Sequence, residues 1–332
     1  MLHRIPNAKV LIAAPIVTAA AYAMNYIRQR EHKVIGQPAE VDKDGLIVNH
    51  TDLLYGKRPV HGSLPSLLCV HANTGKTYVQ KSASGRKALI HEYMTANFLH
   101  AVNPNQPKSL ISQKHLGADA QFFTLSEVPH PSTVDIEEFV RANRSHEMST
   151  SKIIGLAEML ISDQLLGKQF DLKLANLIVS TYLDGQKQVL VFATIDHELG
   201  FSPINCFNSG AMAAPLDPAI LVNAVLDTKP ADDNNQSGLA GSSMALEWRN
   251  IAIQKITKDD MQKAYQRIGE ADTADVISKC HVLAIKTHGL FKSSDCDLYK
   301  VHFQKIQAEA RLAAKNLEKE SEQQARLFGR MD

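Results

Sequence analysis

The sequence predicts an α+β fold in two lobes, a small strand-rich lobe followed by a mainly helical one. Three features predict it. Short strand-like runs joined by turn residues crowd the first part of the chain, a proline-bearing connection follows them, and helical periodicity dominates the rest. A chain of 332 residues is long enough to bury a large core in such a bilobal arrangement. The expected divisions are an apolar N-terminal helix and lead-in over 1–50, the strand-rich lobe over 51–130, and the helical lobe over 131–332.

Taken in order, Val10 to Ile27 is largely apolar, follows Arg4 and Lys9, and precedes Arg28 and Arg30. Ala21-Tyr22-Ala23 could serve as a secretory cleavage site, and the run is about the minimum length for a membrane anchor. Pro15, Thr18 and Asn25 weaken insertion, so a packed or membrane-surface helix fits better, and membrane contact through it is an expectation. Leu67 to Ala72 and Thr77 to Lys81 read as strands around Asn73-Thr74-Gly75-Lys76, which suits a tight turn. A helix follows, with Leu89, Met94, Phe98 and Leu99 near a 3.6-residue period and Glu92 inside it. Gln121 to Leu125 is a further strand, and the two prolines within Ser126 to Thr133 mark the connection between lobes. Ser151 to Leu166 reads as a buried helix closed by Gly167. Leu177 to Tyr182 and Gln188 to Ile195 read as a hairpin around Asp184-Gly185. Asp227 to Ser243 is polar and predicts an exposed loop. Beyond it the pattern is helical, with a cap at Thr257-x-x-Asp260 and a long charged helix from Leu298 to Phe328.

Charge and composition exclude some functions. The 36 basic and 35 acidic residues nearly balance, so no basic field points to nucleic acid as a partner. Fourteen histidines include no His-Glu-x-x-His pattern. The four cysteines, Cys69, Cys206, Cys280 and Cys296, lack Cys-x-x-Cys spacing and are expected as reduced thiols. Gly75-Lys76-Thr77 imitates the end of a nucleotide-binding P-loop, but a strand follows it where that loop needs a helix, so it reads as a turn.

The chemistry-bearing run is Phe170-Asp171-Leu172-Lys173-Leu174-Ala175-Asn176, between the buried helix and the hairpin. It resembles a protein-kinase catalytic loop, in which the Asp faces the attacking hydroxyl, the Lys approaches the transferred phosphate and the Asn ligates a metal. Asp196, twenty residues after Asn176 at the end of the second hairpin strand, stands where the kinase metal-binding Asp-Phe-Gly begins, though here the triplet is Asp196-His197-Glu198. Upstream, Tyr78-Val79-Gln80-Lys81 resembles the kinase lysine strand, and Glu92 resembles the helix glutamate that pairs with it. The resemblance spans roughly residues 55 to 205.

Departures set its limits. His61-Gly62-Ser63-Leu64-Pro65-Ser66 replaces the Gly-x-Gly-x-x-Gly loop and looks like the serine-containing phosphate loops of HipA-like, actin-fragmin and phosphoinositide kinases. Gln169-Phe170 replaces the His-Arg before the catalytic aspartate, and no clear Ala-Pro-Glu follows Asp196. Glu318, Glu320 and Glu322 ahead of Leu327, Phe328 and Met331 resemble the glutamate-rich terminal block of bacterial type IV secretion effectors, although exposed charged helices carry the same pattern.

The resemblance thus implies an atypical protein-kinase-like fold that binds ATP and Mg2+. Lys81, Glu92, Ser63 and Ser66 would serve the nucleotide, Asn176 and Asp196 the metal, and Asp171 and Lys173 catalysis. Asp-x-Lys at Asp171 favours a protein Ser/Thr acceptor over a phosphoinositide, and the effector resemblance implies secretion into a host cytosol. A nucleotide-binding pseudokinase scaffold and an AMP transferase stay open on the same residues. Asp171, Lys173 and Asn176 taken singly also suit an ordinary turn, which leaves the matching Lys81 and Asp196 unexplained.

Overall fold

Turn chemistry builds the first sheet. In the computed structural model, which describes residues 45–60, 66–82, 85–114, 121–166, 174–195, 214–226, 243–287 and 289–328, Gly75 takes φ +68° between strands β3 (Ser66–His71) and β4 (Thr77–Lys81). Lys76, in the P-loop imitation, pairs there with Glu127 at 2.8 Å, as a turn residue can. These strands join β1 (Ile47–Asn49), β2 (Leu53–Val60), β5 (Ser109–Lys114) and β6 (Gln121–Glu127) in a six-stranded sheet of order β1-β5-β6-β4-β3-β2. Only β1 and β5 run parallel among the described pairs of that sheet.

Helix α1 (Arg86–Val102) lies on this sheet and is buried from Leu89 to Leu99, polar residues included. A helix buried all round needs a second covering layer. Helices α8 (Ala274–Lys286) and α9 (Ser293–Phe328) and the connection between them provide it, with Phe98 stacked on Phe303 of α9 at 4.4 Å and Tyr93 edge-on to Phe291 of the connection at 5.5 Å.

A smaller sheet of order β7-β9-β10-β8 follows, formed by β7 (Val134–Asp135), β8 (Lys152–Ile154), β9 (Leu177–Asp184) and β10 (Lys187–Thr194). The β9–β10 hairpin turns at Gly185, φ +63°. The expected helix over Ser151 to Leu166 needs correction at its start. Lys152–Ile154 is a strand parallel to β10, and helix α4 (Leu156–Leu165) begins only after Gly155, whose φ of +80° breaks the backbone direction. Here the apolar run Ile153-Ile154 served a half-buried edge strand, and so short a run is not separated from a helix by periodicity alone.

Short helices α2 (Ile136–Arg141) and α3 (Glu147–Thr150) lie between β7 and β8, and α5 (Pro218–Leu226), α6 (Ser243–Lys255) and α7 (Lys258–Glu270) precede α8. Thr257 and Asp260 form the expected capping box at the start of α7. The C-terminal helix starts five residues before its expected Leu298 and pairs Glu320 with Lys258 and Glu322 with Arg326 at its surface. One core cluster runs from α1 through Phe192 and Trp248 to Phe303.

The expectation of reduced thiols is corrected as well. Cys280 of α8 and Cys296 of α9 form a disulfide with Cα atoms 5.7 Å apart, while Cys69 is free and buried. The two cysteines are sixteen residues apart, and the packing of the two helices against each other brings them together. The apolar run Val10 to Ile27 and the expected loop from 227 lie outside the described residues. Among the described residues no helix is long and apolar enough to cross a membrane.

Candidate active site

Lys81 closes β4 at the centre of the first sheet, in register with Ser66 on β3 and Thr124 on β6, both buried. An ammonium in such a place needs an acceptor. Glu92 of α1, itself 2% exposed, brings Oε1 to 3.9 Å from Lys81 Nζ, and Ser126 donates to the same oxygen at 3.3 Å. A buried pair of this kind is poor value for stability alone, because desolvating two charges offsets most of their attraction. Its residues therefore point to a use other than holding the fold together. The geometry also brings Ser66 alongside Lys81.

Asn176 ends a single 3-10 turn (Leu174–Asn176) before β9 and is buried. Its carbonyl accepts the N–H of Ile195 at 2.8 Å, so the end of the Asp171 loop and the residue before Asp196 are tied together. Asp171, Lys173, Asp196 and Ser63 themselves lie outside the described residues.

Three residues that sequence reasoning missed frame this junction. Thr194 donates its hydroxyl to Asp163 Oδ2 at 3.0 Å and lies 3.4 Å from the Asn176 carbonyl, while its N–H donates to Gln106 Oε1 at 3.0 Å. Asp163 and Gln106 are both buried. The one available signal was Asp163 itself, one of two acids, with Glu158, inside a largely apolar helical run. Gln106 carried none, since its partner is 88 residues away.

The connection between the lobes is fastened beside this frame. After β6, Ser132 accepts from the Thr181 N–H at 2.9 Å and donates to the Thr181 carbonyl at 2.8 Å, and Thr133 meets Ser180 at 2.7 Å. The segment that follows the strand lysine's sheet is thus pinned to the hairpin that leaves Asn176.

Chemically, the described residues offer a buried ammonium with a carboxylate 3.9 Å away and, separately, a buried amide side chain at Asn176. Asn and Asp oxygens are the hard donors that Mg2+ takes. No family model matches the chain, and no curated protein matches it. Among solved structures, a Helicobacter pylori proinflammatory kinase, CtkA, is similar at 13% identity and a TM-score of 0.46, over 82% of this chain and 99% of that one.

Proposed function

We propose that this chain is an ATP-dependent phosphotransferase of the atypical-kinase type, acting on a protein Ser/Thr hydroxyl. The observation that carries the proposal is the buried contact of Lys81 with Glu92, a strand ammonium held by a helix carboxylate. Phosphoryl transfer depends mainly on positioning and electrostatic stabilisation, and a lysine held this way keeps its charge at a fixed point rather than sweeping through solvent.

Lys81 draws the α and β phosphates, and Glu92 fixes its direction. Ser63 and Ser66 are the residues whose hydroxyls would serve the phosphates. Mg2+ held with the nucleotide would neutralise the charge of its phosphates, and Asn176 and Asp196 are the residues that would hold it. Asp171 accepts the proton of the attacking hydroxyl, and Lys173 approaches the transferred phosphate. The frame of Asp163, Thr194 and Gln106 supports the reading because it ties the strand leading to Asp196 to the carbonyl of Asn176. Delivery as a bacterial type IV effector belongs to the same proposal and rests on the C-terminal glutamates alone.

The test is transfer of labelled γ-phosphate to a generic protein acceptor and, in parallel, to phosphoinositide vesicles. Asp171→Ala should lower the rate by about 10²–10⁴-fold, the usual cost of losing a general base, while leaving ATP binding in place. Unchanged transfer in that variant would refute the assignment. Label on the lipid and not on the protein would move the acceptor to phosphoinositides.

A further inference from the structure

Helix α1 carries Glu92 on one side and a row of contacts to the C-terminal helices on the other. Successive helical residues point about 100° apart, so His91 and Glu92 face different neighbours. Glu92 meets the sheet. His91 Nδ1 meets the Tyr299 hydroxyl of α9 at 2.7 Å, with both residues buried. One end of the row is an ion pair of Arg86 with Asp295, reinforced by Arg86 Nε donating to the Gly289 carbonyl at 3.3 Å. The other end is the Phe98–Phe303 stack. Asp295, Tyr299 and Phe303 are four residues apart, one continuous stripe along α9.

The stripe therefore grips α1 through an ion pair, a hydrogen bond and an aromatic stack spread over about 18 Å of α1, from Arg86 to Phe98. The Cys280–Cys296 bridge fastens α9 to α8 at the residue next to Asp295. Any shift of α1 that took Glu92 off Lys81 would have to break the His91–Tyr299 bond and slide Phe98 off Phe303. In kinases, placement of this helix is the step that control mechanisms act upon.

We infer that α9 is a built-in brace that fixes α1 where Glu92 meets Lys81, with Tyr299 and Asp295 as positioning residues. The inference rests on the nucleotide site proposed above. It removes the need for a partner or a modification to swing α1 into place, which suits a chain with no clear Ala-Pro-Glu after Asp196.

Tyr299→Phe tests it in the full chain, since the ring stays and only the hydroxyl goes. Two quantities are read: amide hydrogen exchange over 86–102 without nucleotide, and affinity for a fluorescent ATP analogue with Mg2+. Faster exchange in α1 and affinity weaker by about tenfold, the scale of one lost hydrogen bond, are expected. Thr257→Ala, which removes the cap of α7, serves as the control, because it lowers the thermal midpoint yet should leave the analogue's affinity unchanged. Unchanged exchange in α1 of Tyr299→Phe overturns the brace whatever the nucleotide result. Equal loss of affinity in Thr257→Ala also overturns it, since general destabilisation would then suffice. Lys81→Ala separates the two claims: if it binds the analogue as the parent does, the nucleotide site fails, while the exchange result still decides the brace.

Discussion

Water reaches about a tenth of the Lys81 side chain and almost none of Glu92, so the two opposite charges face each other with little screening. Glu92→Gln keeps the volume and an acceptor for Ser126 but takes the carboxylate charge from beside the buried ammonium, at a cost of roughly 3 kcal/mol. Denaturant unfolding should register that loss, and transfer should fall by about 10²-fold as the lysine loses its aim. Lys81→Met with Glu92→Leu should recover the stability and none of the transfer. Recovery of both would remove the pair from the chemistry. A second residue-scale effect concerns His302 of α9, whose pKa burial depresses to about 4, with Lys305 adding to the shift. In the unfolded chain it titrates near 6.5. Between those values the unfolded state binds the extra proton, so this stability is complete above pH 6.5 and drains away as the pH falls toward 4. Thermal midpoints over that range should fall less steeply in His302→Gln; an identical slope would show that other groups set it. The order of Lys81 and Glu92 was legible in the sequence as a strand lysine ahead of a helix glutamate. Their pairing was implied by the kinase resemblance and not by spacing, because the contact depends on β4 lying beside β6 under α1. Asp163, Gln106 and Thr194 were illegible for the same reason: a buried polar side chain looks misplaced until its distant partner is known.

At the scale of elements, the local code worked where short-range chemistry decides. Asn73 to Lys76, Asp184-Gly185 and Thr257-x-x-Asp260 each became the turn or cap their residues favour. It failed at β8, where strand pairing with β10 overrode an apolar run that fits either period. Gly155 is the hinge of that failure. A Cβ there would come within 2.6 Å of the Phe192 carbonyl and 3.0 Å of Asn103 Nδ2, in a backbone conformation that side chains avoid. Gly155→Ala should therefore cost at least about 2 kcal/mol in unfolding free energy. A neutral substitution would mean that β8 and α4 are not joined as described. The disulfide between α8 and α9 was hidden likewise, since cysteine spacing says nothing about which helices pack side by side.

Across the whole molecule, the predicted α+β order stands: strands and one helix first, helices predominating afterwards. What the chain order concealed is that its two parts share one core. Helix α1 belongs to the first sheet by sequence, yet its Tyr93 and Phe98 pack against rings from the last part of the chain. The lysine and glutamate proposed to hold nucleotide are therefore set by contacts from residues about 200 positions later. The polar frame at Thr194 joins the two parts again, through Gln106. Intact-mass measurement of the purified chain with Mg-ATP and a generic acceptor protein, beside Lys81→Ala and Asp196→Ala, brings these elements to one test. A gain of one phosphate on acceptor or chain, absent from both variants, is the expected result. A gain of AMP, a phosphate gain that survives Lys81→Ala, or no gain at all while Mg-ATP stays bound would contradict the assignment of this site to phosphoryl transfer.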